Sequence, residues 1–456
     1  MKTIIAKYSW LAESDLRLDA SYHLSDTNRI KHLFRNLPYQ FSTIEKQSKR
    51  IFSGNIFKRT FVSDPQRGIP YITGSDMIKS EINSGKFISS KQAIGLENLK
   101  LDKGWILVSC SGTLGKTVLT NELFISRIAT HDLIRIIPNN KDVNEGFLYA
   151  FLSSKYGFSL LTQSSYGGVV KHIEPHHIAN IPVPILPIEN QQLIQELITK
   201  STNLRVEANK MFAEILNQIN SKYNLSPRKQ YYTVNIKSIL QGDKYTKESR
   251  IEADFYQPQA ENLRDEIKKQ EWAFLGDLTN EIRCSDLRER RFVEIGIPLI
   301  TGQHLNLNKL SELKMLSKKF TRNIEKNTTK QGDILISVLG TIGKIEYSYN
   351  NIYQGVFASQ QITKVSVNQE LIHPGYIYAF LKSKFGQIQL QKYKTGSVIE
   401  WIIDNNIASI VVPIPSDKGL KIGSIVDKLT LMRQDAYSFE ATAIQLIETE
   451  IEQWQN

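Results

Sequence analysis

Cysteine is nearly absent from this chain. Cys110 and Cys284 are the only two in 456 residues, 174 positions apart, which excludes a disulfide framework and fits a reducing compartment. No stretch of eighteen apolar residues occurs, so no membrane-spanning helix is expected. The apolar run near the start, Thr3 to Ala6, is too short for a signal peptide. A soluble, cytoplasmic protein with no membrane partner is the resulting expectation.

Acidic residues are in the minority. Asp and Glu number 46 against 57 Lys and Arg, a formal charge of +11 and a pI near 9.2, which favours a polyanionic partner such as nucleic acid over an acidic small molecule. At roughly 100–200 residues per domain, the length predicts two or three folded units.

The chain is one unit written twice. Arg17-Leu18-Asp19-Ala20 returns as Arg250-Ile251-Glu252-Ala253, and Gly68-Ile69-Pro70-Tyr71-Ile72-Thr73-Gly74 as Gly296-Ile297-Pro298-Leu299-Ile300-Thr301-Gly302. Gly104-Trp105-Ile106-Leu107-Val108-Ser109 is matched by Gly332-Asp333-Ile334-Leu335-Ile336-Ser337, and the turn Gly112-Thr113-Leu114-Gly115-Lys116 by Gly340-Thr341-Ile342-Gly343-Lys344. Gly146 to Leu152 then pairs with Gly375 to Leu381, and Ile178 to Ile181 with Ile407 to Ile410. So constant a register means a tandem duplication. Within each copy, the short apolar runs Ile106 to Val108 and Ile334 to Ile336 predict buried strands, and 146–161 and 375–390 carry helical spacing.

Both copies leave through prolines, Pro182 to Pro187 and Pro413 to Pro415, into a heptad pattern. The first seam is Ile194, Leu197, Leu204, Ala208, Met211 and Ile215, interrupted by Ser201 and Gln218. The second is Ile422, Ile425, Leu429, Met432, Ala436, Phe439, Ala443 and Leu446. Seams so alike in length predict an antiparallel pair, each helix on the order of 50 Å long, holding the unit before each helix at opposite ends of a rod. The basic segment 224–242 is expected to be a partly disordered linker.

Strings that suggest catalysis fail when compared between the copies. Cys110 to Thr117 ends like a phosphate-binding loop, but Cys110 stands where that loop needs glycine, and the second copy has Val338 there and Ile345 in place of the hydroxyl. The glycine pair is better explained as a tight turn requiring positive φ. Asn36-Leu37-Pro38-Tyr39 resembles the catalytic string of adenine N6-methyltransferases without its first proline, and no glycine-rich methyl-donor loop follows a strand upstream. His131-Asp132 with His172, His176 and His177 would suit a metal or a general base, yet Gln360-Gln361 and Trp401 stand opposite them. No metal is expected.

What both copies share is a set of polar and basic side chains at predicted loop tips. In the first these are Arg67, Ser75, Ser109, Ser111, Thr113, Lys116, Tyr166 and Lys171. In the second they are Gln303, His304, Ser337, Thr341, Lys344, Lys394, Thr395 and Ser397. Lys and Arg neutralise phosphates, while Gln, Ser and Arg bond base edges in the major groove.

Taken together, the Gly-Ile-Pro strand entry, the Gly-x-Ile-Leu-x-Ser strand with its Gly-x-x-Gly-Lys turn, the duplication and the helix start Pro187-Ile188-Glu189-Asn190-Gln191-Gln192 resemble the specificity subunits of type I restriction-modification enzymes. The second copy departs at its helix start, Ser416-Asp417-Lys418-Gly419, where a Ser or Asp cap is expected. The resemblance implies an α+β chain of two tandem mixed α/β target-recognition domains separated by two long antiparallel coiled-coil helices. The expected ranges are 1–187 and 224–415 for the domains, the latter including the linker, and 188–223 and 416–456 for the spacer helices.

It further implies a non-catalytic subunit that binds double-stranded DNA, each domain reading half of an asymmetric bipartite site. Two methyltransferase subunits and restriction/translocase subunits are the implied partners, carrying S-adenosylmethionine, ATP and magnesium, with no cofactor in this chain. Three rival readings are a specificity-like subunit of another methylation-based defence system, a scaffold that binds no DNA, and a free-standing methyltransferase using Asn36 and Tyr39. DNA binding through several phosphates would weaken steeply with salt, which a scaffold would not show.

Overall fold

In the computed structural model the described residues are 8, 30, 33–35, 37–82, 85–112, 114–163, 172–240, 242–246, 250–287 and 289–453. The chain is α+β and divides into two units that are not consecutive in sequence. One is Met1–Val206 with Asp435–Asn456, the other Glu207–Gln434. Each therefore holds one copy of the repeat, the first half of the helix that follows it, and the second half of the other long helix.

The sequence duplication is a duplication of topology. In the first unit a four-stranded antiparallel sheet runs in the order 48–53, 133–138, 106–109, 117–119, and a mixed four-stranded sheet in the order 61–62, 87–89, 68–72, 128–129. The second unit repeats both, as 279–284, 362–367, 333–337, 345–347 and as 292–293, 315–316, 297–300, 357–358. The predicted strands Ile106–Ser109 and Asp333–Ser337 are buried on both faces. Their alternate residues serve two cores: Ile106 and Val108 pack with Phe147 and Phe151, while Leu107 packs with Ile72 and Phe124. That is the two-residue period of a strand with no solvent side.

The helical segments 146–161 and 375–390 each form two helices. Glu145–Ser153 is followed by Lys155–Gln163, and Pro374–Lys382 by Lys384–Lys392. The break falls at Ser154 and Ser383, whose extended ψ of 162° and 165° ends the helical path. Each hydroxyl then accepts from a glycine N–H of the next helix, Gly157 at 3.2 Å and Gly386 at 3.4 Å.

The long helices are Ile188–Asn220 and Leu420–Glu452. Asp417 caps the second, its carboxylate accepting from Gly419 at 3.0 Å and Lys421 at 3.2 Å. The stripe they bury keeps heptad spacing as far as Ile219 on the first helix and Ile447 on the second, but it is not the one traced by apolar residues alone. It runs through Gln191, Ile194, Ile198, Ser201, Arg205, Ala208, Phe212, Ile215 and Ile219, and through Ile422, Val426, Leu429, Arg433, Ala436, Glu440, Ala443, Ile447 and Ile451, with Arg205 and Arg433 half-buried and the others buried. Of the expected seam residues, Ile194, Ala208, Ile215, Ile422, Leu429, Met432, Ala436 and Ala443 are buried. Leu197, Leu204, Met211, Phe439 and Leu446 are half-buried, and Ile425 is exposed. Because polar residues occupy the true stripe, a trace that follows only hydrophobicity drifts one position onto its flank.

Polar members of the stripe are partnered within each unit. In the first, Ser201 donates to the Ala436 carbonyl at 2.7 Å, and Arg205 meets Glu440 at 2.5 Å. In the second, the Arg433 guanidinium lies 5.5 Å from the centre of the Phe212 ring, which stacks on Tyr378.

The segment after the first long helix is tied to the second unit at several points. Arg228 pairs with Asp254 at 2.7 Å, and Asp243 accepts from buried Arg264 at 3.2 Å and from Ser409 at 2.7 Å. The repeated Arg-x-Asp/Glu-Ala signature has a structural role in the second copy. Arg250 donates to the Lys394 carbonyl and the Thr395 hydroxyl at 2.8 and 2.7 Å. Its first-copy counterpart, Arg17 to Ala20, lies outside the described residues.

Nearby, Lys392 is buried against the Phe255 ring and bonded to Glu261 and the Phe255 carbonyl. Desolvation pulls its ammonium down to about 8, against the pull of Glu261. A lysine with a folded pKa below its unfolded value of about 10.4 destabilises the fold when charged, and that cost is relieved as pH rises from about 8 towards 10. Lys392→Met should therefore equal or exceed the parent in stability at pH 7 and lose its advantage by pH 10 in urea titrations. A pH-independent difference would contradict this.

Candidate nucleic-acid interface

The two sheets of each copy bring three loops to one edge. Strands 68–72 and 128–129 run parallel and end together, with Thr130 N–H donating to the Ile72 carbonyl at 2.9 Å. Strand 106–109 ends beside them, since Ser109 pairs with Leu133 and the Cys110 N–H reaches the Asp132 carbonyl at 3.0 Å. Loops 73–77, 110–116 and 130–132 are thus neighbours. The second copy repeats this through Ser359 to Ile300 at 3.0 Å and Val338 to Gln361 at 2.9 Å.

The glycine-rich strings are tight turns. Gly115 donates to Ser109 and Gly343 to Ser337, with φ of 77° and 90°, while the Ser109 and Ser337 N–H groups bond back to Lys116 and Lys344. A side chain at Gly343 would also meet Gln387, its Cβ 2.7 Å from Oε1.

Several expected contact residues do converge at this edge. Ser75 and Gln303 are exposed at equivalent positions, as is Thr341, while Ser111 and the two lysines Lys116 and Lys344 are half-buried beside them. His304 stands at the same turn as Gln303, its Nδ1 accepting from Thr301 N–H at 2.9 Å. Burial, aided by Lys344, lowers its pKa, and with Nδ1 accepting, its neutral form holds the proton on Nε2. Asp76 takes the equivalent place in the first copy, accepting from Thr73 at 3.0 Å and pairing with Lys79 at 2.6 Å.

Others are placed elsewhere. Ser109 and Ser337 are fully buried, their hydroxyls bonded to the Ser111 carbonyl at 3.0 Å and to Thr341 at 3.2 Å. They shape the turn rather than face a ligand, because they sit at the last inward position of a doubly buried strand. Arg67 precedes strand 68–72 and so lies at its opposite end, exposed and paired with Asp64 at 3.3 Å. Lys394 is held by Glu400 at 2.5 Å and Thr395 by Arg250, in a hairpin that also exposes Ser397 and is bridged to the Gly340 turn through Leu339 and Trp401. Thr113, Tyr166 and Lys171, and the Asn36 of the methyltransferase-like string, lie outside the described residues.

The histidines separate. His176 and His177 rings lie 3.9 Å apart beside Glu174, whereas His131 is bonded to Arg59 and Asp132. Among the described residues no group of three His, Cys, Asp or Glu is placed to hold a metal ion. The nearby Cys110 thiol is pushed up to about 11 by burial and then by the charge of Asp132. Arg59 was not legible as a candidate. It stands in an unpatterned loop, and only folding brings it to His131, 72 residues on.

A duplicated scaffold carrying unlike polar residues at one edge fits what the whole sequence matches. The family model described as the type I restriction modification DNA specificity domain matches residues 43–221 and 267–436, well over half of the chain. The chain belongs to that family.

Its relatives include the specificity subunit of the type I restriction enzyme EcoBI of Escherichia coli, 20% identical over 373 residues, 80% of this chain and 74% of that one. The specificity subunit of the MjaVIII enzyme of Methanocaldococcus jannaschii is 21% identical over 303 residues, 64% of this chain and 65% of its own. Among solved structures, the type I system S subunit from M. genitalium aligns over 92% of this chain and 96% of its own, with 13% identity and a TM-score of 0.33. The HsdS subunit from Thermoanaerobacter tengcongensis aligns over 92% and 97%, with 12% identity and a TM-score of 0.28. As a type I specificity chain it has DNA recognition as its family role, and no helix among its described residues is long and apolar enough to cross a membrane.

Proposed function

We propose that this chain is the non-catalytic recognition subunit of a type I restriction-modification system, with each copy reading one half of a bipartite DNA site. The observation that carries the reading is the loop edge described above. The backbone hydrogen bonds of its turns are the same in both copies, while Ser75 and Gln303, Asp76 and His304, His131 and Gln360, and Asp132 and Gln361 differ at matching places. A shared frame with unlike polar groups is what two readers of unlike sequences require, so the full site is asymmetric.

In this reading the chain binds double-stranded DNA and docks two methyltransferase subunits and restriction/translocase subunits. Those partners would supply S-adenosylmethionine, ATP, magnesium and the base-flipping chemistry. Genome-wide adenine methylation, mapped with the gene intact and deleted, tests this directly. Loss of one bipartite asymmetric motif on deletion is expected, and exchange of residues 1–187 for those of another family member should alter one half of the motif only. An active partner methyltransferase whose motif survives deletion would refute the reading.

A further inference from the structure

Arg59 is an exposed arginine at the end of a chain of polar contacts. Its Nη2 lies 3.1 Å from His131 Nδ1. Because a guanidinium only donates, Nδ1 must accept, which leaves the imidazole proton on Nε2. That nitrogen faces Asp132 Oδ1 at 3.4 Å. The Asp132 carboxylate is fixed in turn, Oδ1 accepting from the Ser111 hydroxyl at 3.1 Å and Oδ2 from Thr130 at 3.0 Å. Beneath the guanidinium is the Tyr71 ring, 5.6 Å from Cζ to its centre. Among the described residues no other acceptor takes the remaining N–H groups of Arg59.

We propose that Arg59 reads a guanine in the half-site bound by the first copy, with His131 and Asp132 as positioning residues that orient its guanidinium for the base edge. The proposal rests on the DNA-recognition reading above. Arginine bonding guanine O6 and N7 together is the commonest specific contact in the major groove, and it depends on the plane of the guanidinium. Phosphates are also held by the arginine fork, but the His131–Asp132 pair engages one N–H group of Arg59 beside the turn carrying Ser111 and Lys116 and leaves the others for a base edge. In the second copy Arg290 precedes strand 292–293 as Arg59 precedes 61–62, but Gln360 and Gln361 stand opposite His131 and Asp132. The His-Asp pair beside Arg59 thus has no counterpart in sequence at those two positions, so the two half-sites should differ there.

The test uses the full chain assembled with its partner methyltransferase subunits, once the motif is mapped. Methylation rates are measured on duplexes in which each base pair of the site is changed in turn. The parent should prefer G·C at one position of the first half-site by about 5- to 150-fold. Arg59→Ala should lose that preference, Asp132→Asn should fall between, and both should discriminate normally in the second half-site, which also reports that the chain is folded. Replacing that guanine with 7-deazaguanine, which lacks the N7 acceptor, should slow the parent and leave Arg59→Ala unchanged. If Arg59→Ala keeps every base preference, or slows all sites alike while reducing the salt slope by about one, the arginine contacts no base or only a phosphate and the proposal is overturned. Those results leave DNA recognition standing. If instead the parent assembly methylates no bipartite site, the recognition reading fails together with the proposal.

Discussion

Replacing Glu440 with alanine is expected to destabilise the first unit by about 3–5 kcal/mol. Glu440 is buried on the second long helix, Arg205 faces it from the first at 2.5 Å, and buried Tyr149 hydrogen-bonds the same carboxylate. The neighbouring charge raises the Tyr149 hydroxyl, on top of a larger rise from desolvation. Removing the acid leaves the Arg205 charge in a site poor in water, and that uncompensated charge is the source of the loss. The double variant Arg205→Met with Glu440→Leu removes both charges and should come back close to the parent, since buried ion pairs seldom exceed well-packed apolar replacements. In the other unit Arg433, Phe212 and Tyr378 stand at the equivalent places, and an aromatic ring lies beside the arginine. Urea unfolding of the full chain checks the cycle through the transition of the first unit, because two compact units need not unfold together. A loss below about 1 kcal/mol for Glu440→Ala would mean the pair is solvated.

Gly386→Ala should cost about 3 kcal/mol or more in the second unit. Gly386 lies in the first turn of helix Lys384–Lys392, pressed against the end of the preceding helix. A Cβ there would fall 2.4 Å from Leu381 Cα, 2.5 Å from the Phe380 carbonyl oxygen and 2.6 Å from that of Leu381. All three are backbone atoms, so no rotamer change relieves the clash and one helix must move. Gly157→Ala should act alike in the first unit, where the Cβ would meet the Phe151 carbonyl at 2.1 Å. Gly340→Ala provides the contrast. Nothing lies within 4 Å of its Cβ, and only a φ of +75° opposes the change, so a cost of about 1–2 kcal/mol is expected. Thermal unfolding of the three variants should separate them, and equal costs would disprove the close joint.

Much of this protein was legible without a structure. The duplication was visible because both copies must build the same strands and turns, and strands buried on both faces demand unbroken apolar runs such as Ile106 to Val108 and Ile334 to Ile336. The glycine turns were equally plain, since left-handed φ values at Gly115 and Gly343 strongly favour glycine. Local rules sufficed for these features.

Tertiary structure decided the rest. The buried stripe of the long helices passes through Arg205 and Glu440, which hydrophobic spacing skips, because each charge is tolerable only opposite a partner 235 residues away. Ser109 and Ser337 looked like contact residues and proved to be internal fasteners, since exposure depends on which strands flank them. The Arg59, His131 and Asp132 relay joins loops that no local pattern connects, for hydrogen bonds between side chains far apart in sequence exist only once the sheets have set their positions.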